Sequence, residues 1–246
     1  MSSAPRIGIV SQARMTSTRL PGKVLLRAGG QSLLSWHISR LRQTGLPVYL
    51  ATTTNHEDDP LAEFAAHAGL PCVRGSEHDV LARYQQCAAT HDLDVIVRVT
   101  SDCPLIAPEL VVAGVAAFQA ASDPQLYVSN AVPQRSYPRG FDYEIFSRQL
   151  LEEAASQATR PGDREHVTPY IHQNRSGQVR FLNLTRPQDA SQFRLTVDTP
   201  EDFDLVRTLL DGYNAGALNG EELVALLAAH PELATLNSHV EQKSHD

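Results

Sequence analysis

The sequence predicts an α/β fold with a mixed, mostly parallel sheet, and three observations carry that prediction. Short apolar runs alternate with amphipathic stretches as far as about residue 121, which is the signature of a parallel sheet with helices packed on it. The most strand-like run, Val95–Val99, ends in a polar turn, Thr100-Ser-Asp-Cys-Pro104; open parallel sheets bind ligands at such carboxyl ends. The middle of the chain is less regular, with two strand-like runs joined by a loop containing Pro, Gly and Arg, so the sheet is expected to be mixed.

Taken in order, Arg6–Val10 reads as a strand that feeds a loop running to Leu25. Ser32 is placed to cap a helix to about Arg42, with Leu33, Trp36, His37 and Leu41 near helical spacing and Gly45 ending it. Pro47–Ala51 is a short buried strand, and Asp58 or Asp59 caps the next helix with Pro60 in its first turn. Cys72–Arg74 is a brief strand; Ser76 and Asp79 form a capping arrangement before Val80, Leu81, Tyr84 and Cys87 recur at helical spacing. Leu126–Asn130 and Asp142–Phe146 read as strands, 147 to 158 as a helix, 160 to 163 as a break and 164 to 174 as helical. Val179–Leu184 and Phe193–Val197 read as strands, Thr199-Pro200 opens a helix with acids in its first turn, and Asn219 caps another over 221 to 229. One domain is expected over residues 1–237, with a flexible polar tail over 238–246.

Composition narrows the function classes. With 246 residues the chain can bury a substantial core. Its formal charge of -7 argues against general nucleic-acid binding, which depends on a basic surface. Cys72, Cys87 and Cys103 are too widely spaced for a zinc knuckle and odd in number for a disulfide framework. The opening MSSAPRIGIV is too short an apolar run for a signal peptide and no later stretch is long enough to cross a bilayer, so a cytoplasmic protein away from the membrane is expected. His37, His67, His91, His239 and His245 read as surface or packing residues.

An anionic ligand must then meet a local cluster of cations, and the loop VSQARMTSTRLPGKVL from Val10 to Leu25 supplies Arg14, Arg19 and Lys23 among small residues. A strand feeding such a loop is a common phosphate site; a solvated basic surface is the plainer alternative. The Walker pattern fails, because Ser17 stands at its first glycine and Val24 at its magnesium-binding hydroxyl. Asp102 and Asp198 each follow an apolar strand and precede Pro or Thr-Pro, which displays them at strand ends. Their alternatives are a turn aspartate and a helix-start residue.

QARMTSTRLPGKVL resembles the N-terminal signature of the sugar cytidylyltransferases, the family that includes CMP-Kdo synthetases and acylneuraminate cytidylyltransferases. The likeness is greatest to the branch of the spore coat polysaccharide protein SpsF. RGSEHDVLARY from Arg74, VRVTSDCPLI from Val97, YPRGFDYEIF from Tyr137, REHVTPYI from Arg164 and RLTVDTPEDF from Arg194 follow in order. The resemblance implies a Rossmann-like, three-layer nucleotidyltransferase fold and the reaction of CTP with an acidic or amino sugar to give CMP-sugar and pyrophosphate, for surface polysaccharide. It implies magnesium on Asp102 and Asp198, phosphate contacts from Arg14 and Lys23 with Arg19 nearby, and a homodimer. Gln12, Ala13, Arg74, Gly75, Ser76 and Asp79 would complete the nucleotide side, and Arg139, Arg164 and His166 the sugar side, with Asp142 and Glu144, two apart on a strand, pointing to one face of it. Arg19 as a loop-shaping ion pair, Ser76 as a helix cap, and Arg164-Glu165-His166 as a salt-bridged helix start remain open beside these roles. VTSDCPLI stands where CMP-Kdo synthetases carry a QGDEPLI-like segment, which points away from Kdo itself. Two rivals stand: a glycosyltransferase of related fold, whose D-x-D motif Thr100-Ser101-Asp102 does not supply, and a noncatalytic nucleotide-binding protein.

Overall fold

Apolar runs and well-placed caps account for most of the chain path in the computed structural model, which describes residues 4–242. Residues 1–3 of the N-terminal segment and 243–246 of the expected tail, His245 among them, lie outside the described residues. β1 (Ile7–Gln12) leads into the basic loop, after which β2 (Arg27–Ala28) and β3 (Gln31–Ser32) form a small ribbon. Ser32 caps α1 (Leu33–Arg42), accepting from the Ser35 N–H at 3.1 Å. β4 (Val48–Thr53), α2 (Asp59–His67), β5 (Cys72–Gly75), α3 (Val80–Thr90), β6 (Val95–Thr100) and α4 (Pro108–Ala121) continue the alternation.

Two expected caps are corrected. Asp58 precedes α2 but turns its carboxylate away, accepting from the Thr53 hydroxyl and, at 2.7 Å, from the Met15 N–H. Asp79 rather than Ser76 caps α3, accepting from Ala82 N–H at 2.9 Å.

β7 (Leu126–Ser129), β8 (Glu144–Ser147) and α5 (Arg148–Gln157) follow, with Ser147 as the cap of α5. The helix expected over 164–174 is two short ones, α6 (Pro161–His166) and α7 (Pro169–His172). The break falls at Val167, a buried β-branched residue at φ 71°, where backbone strain costs about 1–3 kcal/mol. After β9 (Arg180–Asn183), the strand expected over Phe193–Val197 is only an extended segment with one bridge, Arg139 to Arg194. Gly140 fits against it because a Cβ there would lie 2.7 Å from the backbone of Leu195, and its φ of 103° suits glycine. α8 (Pro200–Gly212) and α9 (Gly220–Ala229) both start on capping boxes, Thr199 with Asp202 and Asn219 with Glu222. α10 (Pro231–Thr235) was not expected from the sequence. Within the expected tail, Val240 donates to Asn237 O and Gln242 accepts from Arg194 at 2.7 Å.

The strands form one sheet in the order β5-β4-β1-β6-β8-β7-β9, in which only β8 runs antiparallel to its neighbours. One face packs on α1, α2 and α4 through residues such as Ile9, Ile38, Leu61 and Val115. The other packs on α3, α5 and α7 through Val10, Leu81, Tyr84, Leu151 and Ile171. α8, α9 and α10 build a third cluster with Leu105, Phe141 and Leu195 beside the sheet. From β1 the chain winds outward through β4 and β5, then returns to place β6 on the other side of β1. A switch of direction there opens a crevice at the carboxyl ends of β1 and β6.

Candidate active site

That crevice is a cleft of about 420 Å³, walled by the basic loop, the turn after β6, the first turns of α3, the end of α6 and Asp198. The loop is folded by Gly22, at φ 68°, whose N–H returns to Met15 O at 2.9 Å. Lys23 follows, and its buried ammonium lies 3.1 Å from Asp102 Oδ2 and 2.8 Å from Asp198 Oδ1. Burial opposes the charge on Lys23, but the two carboxylates outweigh it and hold its pKa above the ordinary lysine value. Burial likewise pushes Asp102 upward; Lys23 and hydrogen bonds from Thr100 and Cys103 prevail and hold it below the usual carboxylate range.

Asp198 is fixed from behind. Its Oδ2 takes Arg19 Nη2 at 3.0 Å and Arg194 Nη2 at 2.8 Å. Arg194 also grips the fully buried Asp202, which accepts from the backbone N–H groups of Asp198 and Thr199 at 2.9 and 3.2 Å. Asn237 and Gln242 complete this anchor by bonding Asp202 and Arg194. Three carboxylates, Asp102, Asp198 and Asp202, thus stand against three cations, Arg19, Lys23 and Arg194, so the cluster is balanced in charge. Arg14 is outside it, half exposed and 3.9 Å from Glu77.

The two aspartates converge on one cation, which is the test a shared metal site must pass. Among the described residues no group of three or more His, Cys, Asp and Glu side chains could hold a metal. A pair of carboxylates still suits magnesium, which keeps water and phosphate oxygens as its other ligands.

The cleft wall also contains a residue that the sequence reading missed. Arg83, on α3, is 1% exposed and borders the cleft, yet its Nε and Nη1 have no hydrogen-bond partner among the described residues. Gln12, at the end of β1, borders the same cleft with a buried Oε1 that is also without a partner. Ala13 and Val80 line the wall between polar groups. Arg83 lies among apolar α3 positions, where sequence spacing alone marks a helix rather than a site.

Several expected ligands are placed elsewhere. Arg74 is spent on Thr53 O, Asn55 O and Asp59, and Gly75 and Ser76 are not in the cleft wall. Glu144 is buried in an internal network, paired with Arg98 of the neighbouring strand and accepting from the hydroxyls of Tyr127 and Thr168. Burial pushes Glu144 upward, but those partners hold it below its ordinary pKa. Asp142 is outside β8 and engages Arg135, so the two acids do not form a joint face. Arg164 ties α6 to the cap of α3 through Asp79, with Nε to Oδ1 at 3.0 Å, and to Ala155 O; it is ion-paired as the alternative reading has it, but in the last turn of α6 and not at a helix start. His166 does border the cleft. Arg139 is half-buried and donates no side-chain hydrogen bond among the described residues; burial, then Arg135, lowers its pKa. His37 is a packing residue: it is fully buried between Ser11 Oγ and Cys103 O, each at 2.8 Å.

Comparison with known proteins gives a consistent result. A family model described as cytidylyltransferase matches residues 7–230. The spore coat polysaccharide biosynthesis protein SpsF of Bacillus subtilis is 35% identical over 238 residues, which span 92% of this chain and 95% of SpsF. A solved cytidylyltransferase from Leptospira borgpetersenii has a TM-score of 0.90 at 32% identity, covering 98% of this chain and 100% of that one. A CMP:2-keto-3-deoxy-manno-octonic acid synthetase solved with CTP shares the fold, with a TM-score of 0.60 at 20% identity over 83% of this chain and 98% of its own.

Proposed function

Because the chain belongs to the cytidylyltransferase family, we propose that this CTP-dependent nucleotidyltransferase makes a CMP-sugar from an acidic or amino sugar, as a surface-polysaccharide precursor. The observation that carries the reading is the convergence of Asp102 and Asp198 on Lys23 at the switch point of the sheet. In the reaction the sugar's anomeric oxygen attacks the α-phosphorus of CTP and the bond to the β-phosphate oxygen breaks. Pyrophosphate leaves, and the hydroxyl proton is released to solvent.

The charge balance of the cluster supports a divalent ion here. Three carboxylates already match three cations, so a triphosphate needs further positive charge. Magnesium on Asp102 and Asp198 would supply it and polarise the phosphate oxygens. With CTP bound, Lys23 and Arg19 would offer their charges to the phosphate oxygens, and Arg14, held only by its long contact with Glu77, would be offered to the outer phosphate. Asp202, Arg194 and Asn237 keep Asp198 in position throughout. On the sugar side, Arg139 and His166 are the residues offered to a carboxylate or hydroxyls. Three cysteines free of disulfides suit the cytoplasm; a homodimer rests on the family resemblance.

The test is to incubate the protein and magnesium with each nucleoside triphosphate and a panel of acidic and amino sugars, and to measure pyrophosphate. Release with CTP and one sugar class is expected. Release without CTP preference would overturn the cytidylyl assignment, and no release with any sugar would favour a noncatalytic role.

A further inference from the structure

We infer that Arg83 and Gln12 read the Watson–Crick edge of the nucleobase and select cytosine over uracil, an inference that rests on the CTP-dependent reading above. Two observations carry it. The cations at the phosphate end of the cleft all have carboxylate partners, whereas the Arg83 guanidinium, 1% exposed, has buried Nε and Nη1 atoms that donate to nothing among the described residues. A buried donor left unpaired costs free energy, and more when it is charged. The second observation is an orphan of the opposite kind in the same cleft, the buried Gln12 Oε1.

The two residues share a side of the sheet. Val10 and Gln12 alternate onto the same face of β1, and Val10 packs in the cluster that contains Val80, Leu81 and Tyr84 of α3. Tyr84 locks α3 there by bonding Val10 O and Val99 O, both at 3.2 Å. The stem of Arg83 is held under Gly75, where a Cβ would lie 2.9 Å from Arg83 Cγ. Ala13 and Val80 add apolar wall, as a base face requires.

The donor set matches cytosine. Its O2 and N3 are adjacent acceptors and fit paired N–H groups of one guanidinium, while its N4 amine donates and fits a carbonyl oxygen. Uracil carries a hydrogen on N3, which meets the arginine donor to donor, and has an acceptor where the amine would be. A lysine could supply the charge but not the paired geometry.

The experiment is calorimetric titration of the full chain, with magnesium, by CTP, UTP and inorganic tripolyphosphate, for the wild type, Arg83→Met, Arg83→Lys and Gln12→Leu. The wild type should prefer CTP. Both Arg83 variants should weaken CTP binding by roughly 10- to 100-fold while UTP and tripolyphosphate binding hold, which also shows the site is folded. Gln12→Leu should give a smaller CTP-specific loss and carries the test if the Arg83 variants do not fold. Equal losses for all three ligands, or rescue by Arg83→Lys, would overturn the inference by making Arg83 a phosphate or charge contact. A wild type without CTP preference would defeat the cytidylyl reading and this inference with it; a preference that survives every substitution would defeat the inference alone.

Discussion

Asp102 and Asp198 on one hand, and Asp142 and Glu144 on the other, are two pairs of acids near the same end of the sheet's strands with different surroundings. The first pair lies beyond β6 and ahead of α8, where both carboxylates face a cleft and share Lys23. In the second pair, Glu144 sits within β8 opposite Arg98, sealed by Tyr127 and Thr168, and Asp142 is taken by Arg135. The difference teaches that an acid becomes available when the backbone ends its ladder before it. An acid inside the ladder inherits a cross-strand neighbour, and a cation there completes a pair. Asp102 and Asp198 share Lys23 from the basic loop, Glu144 has a cation from the adjacent strand, and Asp142, outside the ladder, has one from its own loop.

Substitutions can break or sharpen that contrast. The largest effect is expected for Asp198→Asn, which should lower kcat on the order of 10³-fold with the melting temperature little changed; steady-state pyrophosphate release and a thermal scan check it. Glu144→Ala should act on stability, because it strands Arg98 in the interior, and urea unfolding should show a loss of about 3–5 kcal/mol.

His37 gives a third contrast, a titratable group buried beside the cleft but outside its chemistry. Burial drops its pKa from 6.5 to about 4, against the opposing bond to Cys103 O and the nearby Asp102. The unfolded chain therefore binds a proton below 6.5 that the folded chain refuses until about 4. Its contribution is complete above the unfolded value and is lost as pH falls toward the folded one, about 3 kcal/mol in all. His37→Gln should remove that part of the slope in urea unfolding between pH 7 and pH 4. The smallest effect belongs to Arg164→Ala, whose partly exposed pair with Asp79 is worth about 1 kcal/mol and whose loss should leave CTP binding intact by calorimetry.

How far the sequence reveals all this depends on the element. β1, β4 and β6 are legible because Val, Ile and Leu runs suit strands covered on both faces. Asp102 and Asp198 are legible because each follows such a run. Phe193–Val197 reads as a strand too yet forms a single bridge, made by Leu195 N–H and Phe193 O with Arg139, beyond which its Val197 N–H is diverted to Asp102 O. Asp202 is legible as a cap of α8 but not as the clamp of Arg194, because that contact depends on how the extended segment returns beside the helix. Arg83 is hidden for a related reason: on an amphipathic helix an arginine reads as solvated, and only the depth of α3 against β1 shows it to be buried.

The most direct test of the account compares CTP-dependent pyrophosphate release and thermal unfolding in the wild type, Asp102→Asn and Glu144→Gln. Asp102→Asn should stay folded and inert, while Glu144→Gln should unfold at lower temperature and still turn over; an active Asp102→Asn would remove Asp102 from the chemistry, and a stable Glu144→Gln that cannot turn over would place Glu144 in it.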